Sequence, residues 1–288
     1  MKSINYMKFL FFLFFHQIFI TPQDYKYSFS IGDFVNASSF HINQAGFIYV
    51  ADAGNNEVLK LDTLGNIIKE IGGYGWDESA FDNPADLYSA PLNLYVCDKN
   101  NHRIQSFDKD LNFISQLSTR DSKIEEQNFG YPLSCVISNQ GDLFILDSEN
   151  KRIIKFDLFG NFISNFGGYD YGNFTLSSPK KLSISSTGDL YVIDQNRIVV
   201  FDQYGTGLTI IYTDYEFGNL NIIYNILTVN TFSQVFISDL RDSILELKEL
   251  NLAGINPDSE IVSSFIFNNR LYLLTKNEIL VFDRDTEI

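Results

Sequence analysis

The chain has 288 residues, 45% apolar and 20% charged, a balance that excludes a disordered polymer. Its 21 basic and 36 acidic side chains give a formal charge of −15, so nucleic acid and anionic membrane surfaces are poor partners. Two cysteines cannot build a disulfide framework.

The first 22 residues differ from the rest. Lys2 and Lys8 precede the run Phe9–Phe15, and the apolar character continues to Ile20. A basic start followed by roughly a dozen apolar residues has the layout of a secretory signal peptide. The run is short of the ~20 apolar residues of a spanning helix. No A-x-A-like pair stands before Thr21-Pro22, so an uncleaved anchor is the alternative to cleavage. Export to a periplasmic or extracellular space is expected. The mature chain keeps all 36 acidic residues but loses two lysines, leaving a charge near −17.

From residue 23 onward one pattern repeats. The runs Gly46–Asp52, Leu92–Asp98, Gly141–Asp147, Gly188–Asp194, Ser233–Asp239 and the degenerate Asn269–Thr275 each centre on an aromatic. Those anchors are Tyr49, Tyr95, Phe144, Tyr191, Phe236 and Tyr272, between 36 and 49 residues apart. A second strand ending in Asp follows each anchor, as in Arg103–Asp108 and Arg152–Asp157; a Gly turn and a third strand come next. In three copies a further strand starts at Pro84, Pro132 or Pro179. Four short strands in ~40–50 residues make one blade of a β-propeller. The anchor runs are nearly continuous in apolar residues, as befits sheets packed on both faces.

The expected fold is therefore all-β: a single six-bladed β-propeller of four-stranded antiparallel blades over residues 23–288. The blades are placed at about 37–73, 84–119, 132–168, 179–213, 224–250 and 261–283. The last unit has three strands, and the orphan segment Tyr25–Gly32 is expected to complete it as the outer strand, closing the ring. The L-Y-V-x-D strands, the N-x-R-I turns and the linker Gly73-Tyr74-Gly75…Phe81…Pro84 resemble NHL repeats, closely over 37–213 and poorly in the sixth unit. That resemblance implies a fold and not a function.

Several residues are candidates for chemistry. The strand-end aspartates Asp52, Asp98, Asp147, Asp194 and Asp239 read as acceptors for backbone N–H groups of adjoining turns. Asp98-Lys99-Asn100 alternates oxygens like a calcium loop but lacks the central Gly and distal Glu. Asp62, Asp108, Asp157, Asp202 and Asp283 read as turn builders, and Cys97 and Cys135 as small core hydrophobes. Outside the leader the histidines are His41 and His102. Six-bladed relatives that are metal lyases or lactonases gather His, Glu, Asn and Asp at the channel mouth. The corresponding inner-strand starts here read Ser38-Ser39, Ala85-Asp86, Leu133-Ser134, Lys180-Lys181 and Asn225-Ile226, a poor set for a divalent ion. No metal or other cofactor is expected. A metal-dependent lyase or lactonase with its site at the channel mouth is the alternative reading.

The linkers between blades are the remaining candidates. Tyr74, Trp76, Asp77 and Glu78 lie in one, Tyr169, Asp170 and Tyr171 in another, and Tyr215 in a third. Phe81, Phe129, Phe174 and Phe217 are expected to plug gaps between blades. Exposed aromatics on a rigid scaffold suit a binding surface, so the eight residues are proposed contacts. The expected function is a non-enzymatic, monomeric scaffold for a protein, peptide or glycan.

Overall fold

A computed structural model describes residues 24–242 and 245–285, so the leader lies outside the described residues. The chain begins with β1 (Asp24–Ile31). Blade 1 is β2 (Ala37–Ile42), β3 (Ile48–Asp52), β4 (Glu57–Leu61) and β5 (Ile67–Gly72). Blade 2 is β6 (Pro84–Ser89), β7 (Asn93–Asp98), β8 (Arg103–Asp108) and β9 (Phe113–Leu117). Blade 3 is β10 (Pro132–Ile137), β11 (Leu143–Asp147), β12 (Arg152–Phe156) and β13 (Phe162–Phe166). Blade 4 is β14 (Pro179–Ile184), β15 (Leu190–Asp194), β16 (Arg197–Phe201) and β17 (Gly207–Tyr212). Blade 5 is β18 (Asn219–Ile223), β19 (Ile226–Asn230), β20 (Val235–Asp239) and β21 (Lys248–Glu249). After β22 (Asn251–Ala253) come β23 (Ser263–Phe267), β24 (Arg270–Leu274) and β25 (Ile279–Arg284) of blade 6. Neighbouring strands within each of blades 1–5 pair in chain order, so the fold is a six-bladed propeller.

The apolar pattern explains this order. Second strands such as β3 and β11 are buried at every position, whereas the outer strand β5 alternates between exposed and half-buried. Each of six apolar clusters joins two successive blades. Tyr49 and Val58 of blade 1 meet Leu87 and Phe107 of blade 2, and Phe265 and Tyr272 of blade 6 meet Phe40 and Val50 of blade 1. A sheet with a neighbour on both faces has no solvated side to spare for polar alternation.

Blade 6 is ordered β22-β1-β25-β24-β23. β1 runs antiparallel to β25, with Tyr25 opposite Arg284 and Ile31 opposite Ile279. It was expected to be the outermost strand. Instead β22 pairs with it in parallel, Tyr25 opposite Leu252, and covers the first residues of the strand. The turn of blade 1 seats against the other end: Gly65, at φ +87°, has Ile31 2.7 Å from where its Cβ would stand. Only glycine fits both constraints.

Blade 5 corrects the expected boundaries. Its inner strand begins at Asn219, not at 224, and the Ser233–Asp239 run supplies the third strand rather than the second. A two-residue hairpin at Tyr224-Asn225, with Tyr224 at φ +53°, splits the apolar stretch Leu220–Val229 into two strands. Nothing in that turn has the Gly that marks hairpins. Asn225-Ile226 is therefore not an inner-strand start.

Candidate functional site

The second-strand aspartates hold the linkers in place. Asp52 accepts the N–H groups of Val35 and Asn36 at 2.9 Å, and Asp194 those of Ser177 and Ser178 at 2.9 and 2.6 Å. Asp98 accepts the Asp82 N–H at 2.8 Å, and Asp147 that of Gly130 at 3.1 Å. The arginine opening the next strand pairs with the same aspartate: Arg103 with Asp98 at 2.7 Å, Arg152 with Asp147 at 3.2 Å and Arg197 with Asp194 at 2.7 Å. Each guanidinium then reaches carbonyls of the linker above it. Asp239 departs from the set, because it ends a third strand and pairs with the exposed Arg241. Blade 5 uses Asn230 instead, whose side chain accepts from Ser264 at 3.1 Å.

The linker between blades 1 and 2 is the most firmly tied. Arg103 donates to the carbonyls of Trp76 at 2.7 Å, Asp77 at 3.0 Å and Ala80 at 2.8 Å. Asn101 donates to the Gly75 carbonyl at 2.8 Å, and Tyr74 bridges to Phe81 in parallel. The backbone is thus fixed while the side chains of Tyr74 and Trp76 stay 74% and 64% exposed. Asp77 and Glu78 are exposed beside them.

The second linker is split in character. Tyr169 is 92% exposed, next to the exposed Asp170. Tyr171 turns back: its hydroxyl donates to the Gly205 carbonyl at 2.7 Å and its ring sits 6.1 Å from Phe201. Tyr215, in the third linker, packs against Phe236 at 4.5 Å and Phe217 at 5.9 Å. The linker between blades 2 and 3 separates Tyr74 and Trp76 from Tyr169 and Tyr171. Among the described residues no ring contact joins the two groups, so they form two half-patches. Phe81, Phe129 and Phe217 are buried, and Phe174 is half-buried against Phe201.

At the starts of the inner strands a polar knot joins blades 1 to 4. Asp86 of blade 2 accepts from Ser39 of blade 1 and Ser134 of blade 3, both at 2.5 Å. It also pairs with Lys181 of blade 4 at 2.6 Å. All four side chains are buried. On the far side, Asn221 donates to Ser263 and to the Ser264 carbonyl, both at 2.9 Å. The sequence listed Asp86 and Lys181 separately and missed their partnership. Opposite charges at the same repeat position two blades apart were the available signal.

This donor set does not fit a divalent cation. The one carboxylate is saturated by an ammonium and two hydroxyls, and the ammonium stands where a cation would bind. Two residues beyond Ser39 lies His41, whose pKa is pushed down to about 3 by burial and by the Lys181 charge, against a smaller opposing pull from Asp86. Its role as a metal ligand would require partners that are absent among the described residues. Cys97 and Cys135 are free, buried thiols of neighbouring blades.

No protein-family model matches the chain, and no curated protein matches it either. Solved structures do. A catalytically inactive virginiamycin B lyase from Staphylococcus aureus, determined with quinupristin, is 10% identical over 88% of this chain and 98% of its own, with a TM-score of 0.63. A gluconolactonase from Xanthomonas campestris is 11% identical over 92% of this chain and 97% of its own, with a TM-score of 0.65. A chain of a nidogen/laminin complex is 12% identical over 75% of this chain and 81% of its own, with a TM-score of 0.59. At such identities the likeness is one of fold.

Proposed function

We propose that this protein is an exported, non-enzymatic propeller with NHL-like repeats. In this reading it is a monomer that takes a protein, peptide or glycan partner on its linker loops. The observation that carries the reading is the pairing of an exposed Tyr74 and Trp76 with a backbone pinned by Arg103. Aromatic side chains on a fixed loop give contact area with little ordering cost on binding. The exposed Asp77, Glu78 and Asp170 favour a basic or neutral partner and an association weakened by salt. Tyr169 extends the contact for a partner large enough to span both half-patches, with Tyr171 and Tyr215 as supports. A chain of the same fold occurs in the nidogen/laminin complex, which shows a propeller used in protein assembly in that case. The leader sequence supports export.

The lyase or lactonase reading draws on the other two neighbours and on the channel. It is weakened by Lys181 on the only carboxylate of the knot.

Peptide and glycan arrays probed with the mature protein and with a Tyr74→Ala/Trp76→Ala variant test the proposal. Ligands held by the wild type and lost by the variant, without change in unfolding midpoint, are expected. Equal binding by both proteins would sink it.

A further inference from the structure

Two linkers end in the same way but with different chemistry. In the turn after the second strand of blade 1, Asn56 stands at φ +56° and its Oδ1 accepts the N–H of Asn83 at 2.7 Å. Asn83 is the residue before Pro84, where blade 2 begins. Blade 2 repeats the arrangement one linker further on. His102 stands at φ +52°, and its Nδ1 accepts the N–H of Tyr131, the residue before Pro132, at 3.1 Å. An amide oxygen accepts whatever the pH, whereas an imidazole nitrogen accepts only while the ring is neutral.

The surroundings leave that nitrogen no place for a proton. Arg120 of the same linker directs Nη1 at His102 Nδ1 from 3.4 Å, so two donors converge on one lone pair. The neutral ring therefore carries its hydrogen on Nε2. The Tyr131 ring meets the imidazole edge-on at 4.2 Å. The charges that face the ring are Arg120 and, from the corresponding turn of blade 3, Glu149, which pairs with Arg120 at 3.0 Å. From its own turn Lys99 contributes a backbone carbonyl, which accepts the His102 N–H at 3.1 Å. Burial and the Arg120 charge hold the His102 pKa below its ordinary 6.5, against a smaller upward pull from Glu149.

The linker end lies between two blades. On the side of blade 3, Asp147 accepts the Gly130 N–H at 3.1 Å and Ser148 donates to the Tyr131 carbonyl at 2.7 Å. Neither contact involves an imidazole. On the side of blade 2 the Tyr131 N–H has His102. Tyr131 itself stands at φ +49°, a conformation that an aromatic residue adopts reluctantly, so the bond restrains a residue that gains by relaxing.

We propose that His102 is an acid-released latch, whose neutral ring ties the linker between blades 2 and 3 to blade 2 and whose protonation frees it. A proton taken up at Nδ1 turns the acceptor into a donor that faces the Tyr131 N–H and the Arg120 guanidinium. The latch is closed above pH 6.5 and opens as pH falls through the lowered pKa of the folded ring. This linker separates the two aromatic half-patches, so its release alters the face between them. A change in partner binding rests on the function proposed above; the latch itself does not.

Amide exchange of the full chain, followed by ¹⁵N NMR, tests the latch, with Asn83 as the internal reference because its acceptor does not titrate. Between about pH 7.5 and about pH 4.5 the protection factor of Tyr131, corrected for intrinsic exchange, is expected to fall at least about tenfold, while that of Asn83 changes less than about twofold. His102→Asn suits the left-handed backbone and supplies the acceptor that Asn56 supplies in blade 1. It should keep Tyr131 protected at both pH values. The proposal is overturned if Tyr131 protection does not fall with pH in the wild type, or if it falls as far in His102→Asn. An equal fall at Asn83 would place the change in the whole fold and overturn it too.

Discussion

At the scale of single residues, Arg103 and His41 make opposite use of burial. Arg103 is buried, pairs with Asp98 and ties three linker carbonyls. Lysine keeps the charge but cannot reproduce the planar fork. Arg103→Lys is expected to cost about 2–4 kcal/mol in urea unfolding, since partly buried linker carbonyls lose their donor and the buried pair with Asp98 is loosened. The same substitution should lower the fluorescence anisotropy of Trp76, the one emitter of its kind, as its loop loosens; unchanged anisotropy would mean the loop is held by other contacts. His41 is half-buried and neutral. Its folded pKa, about 3, lies below the ordinary 6.5, so between those values the unfolded chain binds a proton that the folded chain refuses. Stability contributed by the neutral ring is complete above pH 6.5 and is lost as pH falls toward 3. His41→Gln should therefore flatten the decline in urea midpoint from pH 7 to 4, and parallel wild-type and variant curves would contradict the assignment. Little of this was legible beforehand. The aspartate–arginine spacing pointed to turns, but the reach of Arg103 into a loop more than twenty residues upstream depends on blade packing, as does the cavity that receives His41.

At the scale of elements, the turns after the third strands were readable and blade 5 was not. Asp62, Asp108, Asp157 and Asp202 each accept two N–H groups of their own turn. The side-chain and backbone donors of Asn66 hold the Asp62 carboxyl below its usual range, and Asn161 does the same for Asp157. Blade 2 builds the same turn without glycine: Leu111 stands at φ +57° where Gly65, Gly160 and Gly205 stand elsewhere, and its side chain is buried. Leu111→Gly sets two terms against each other. Relief of the left-handed backbone returns ~1–2 kcal/mol, while loss of a buried leucine costs ~2–5 kcal/mol. Net destabilisation of about 1–3 kcal/mol is expected by urea unfolding; a gain in stability would show that strain outweighs the packing. Aspartate and glycine signals made these turns visible because the chemistry is local. The Tyr224-Asn225 hairpin carries no such signal, and its two strands together read as one apolar run.

At the scale of the whole molecule, closure rests on blade 6. β1 pairs with β25 along its length, and β22 covers its outer side. A deletion of residues 1–32 removes the central strand of that arrangement, leaving both neighbours with unpaired edges. It should promote oligomerisation and broaden thermal unfolding, measured by light scattering and calorimetry against a chain starting at Gln23. Equal monodispersity and cooperativity in the two proteins would show that the ring does not depend on this strand. The ring itself was legible from the six aromatic anchors, whose spacing is set by the repeat. The parallel strand β22 was not, because a three-residue pairing depends on where two distant segments happen to lie.

The placement of β1 also has a consequence in time. Tyr25 leaves the ribosome long before Arg284, yet they sit opposite each other. Five blades can form from contacts within a blade and between neighbours, while the sixth waits for β25 and the closing of a loop that spans all the other blades. Refolding should therefore end in a slow step that reports on blade 6. A circular permutant that turns β25 into β1 through a short hairpin, and opens the chain in the linker between blades 2 and 3, converts that pairing into a local one. Its final refolding phase is expected to be at least tenfold faster in stopped-flow fluorescence, with the native signal of Trp76 unchanged.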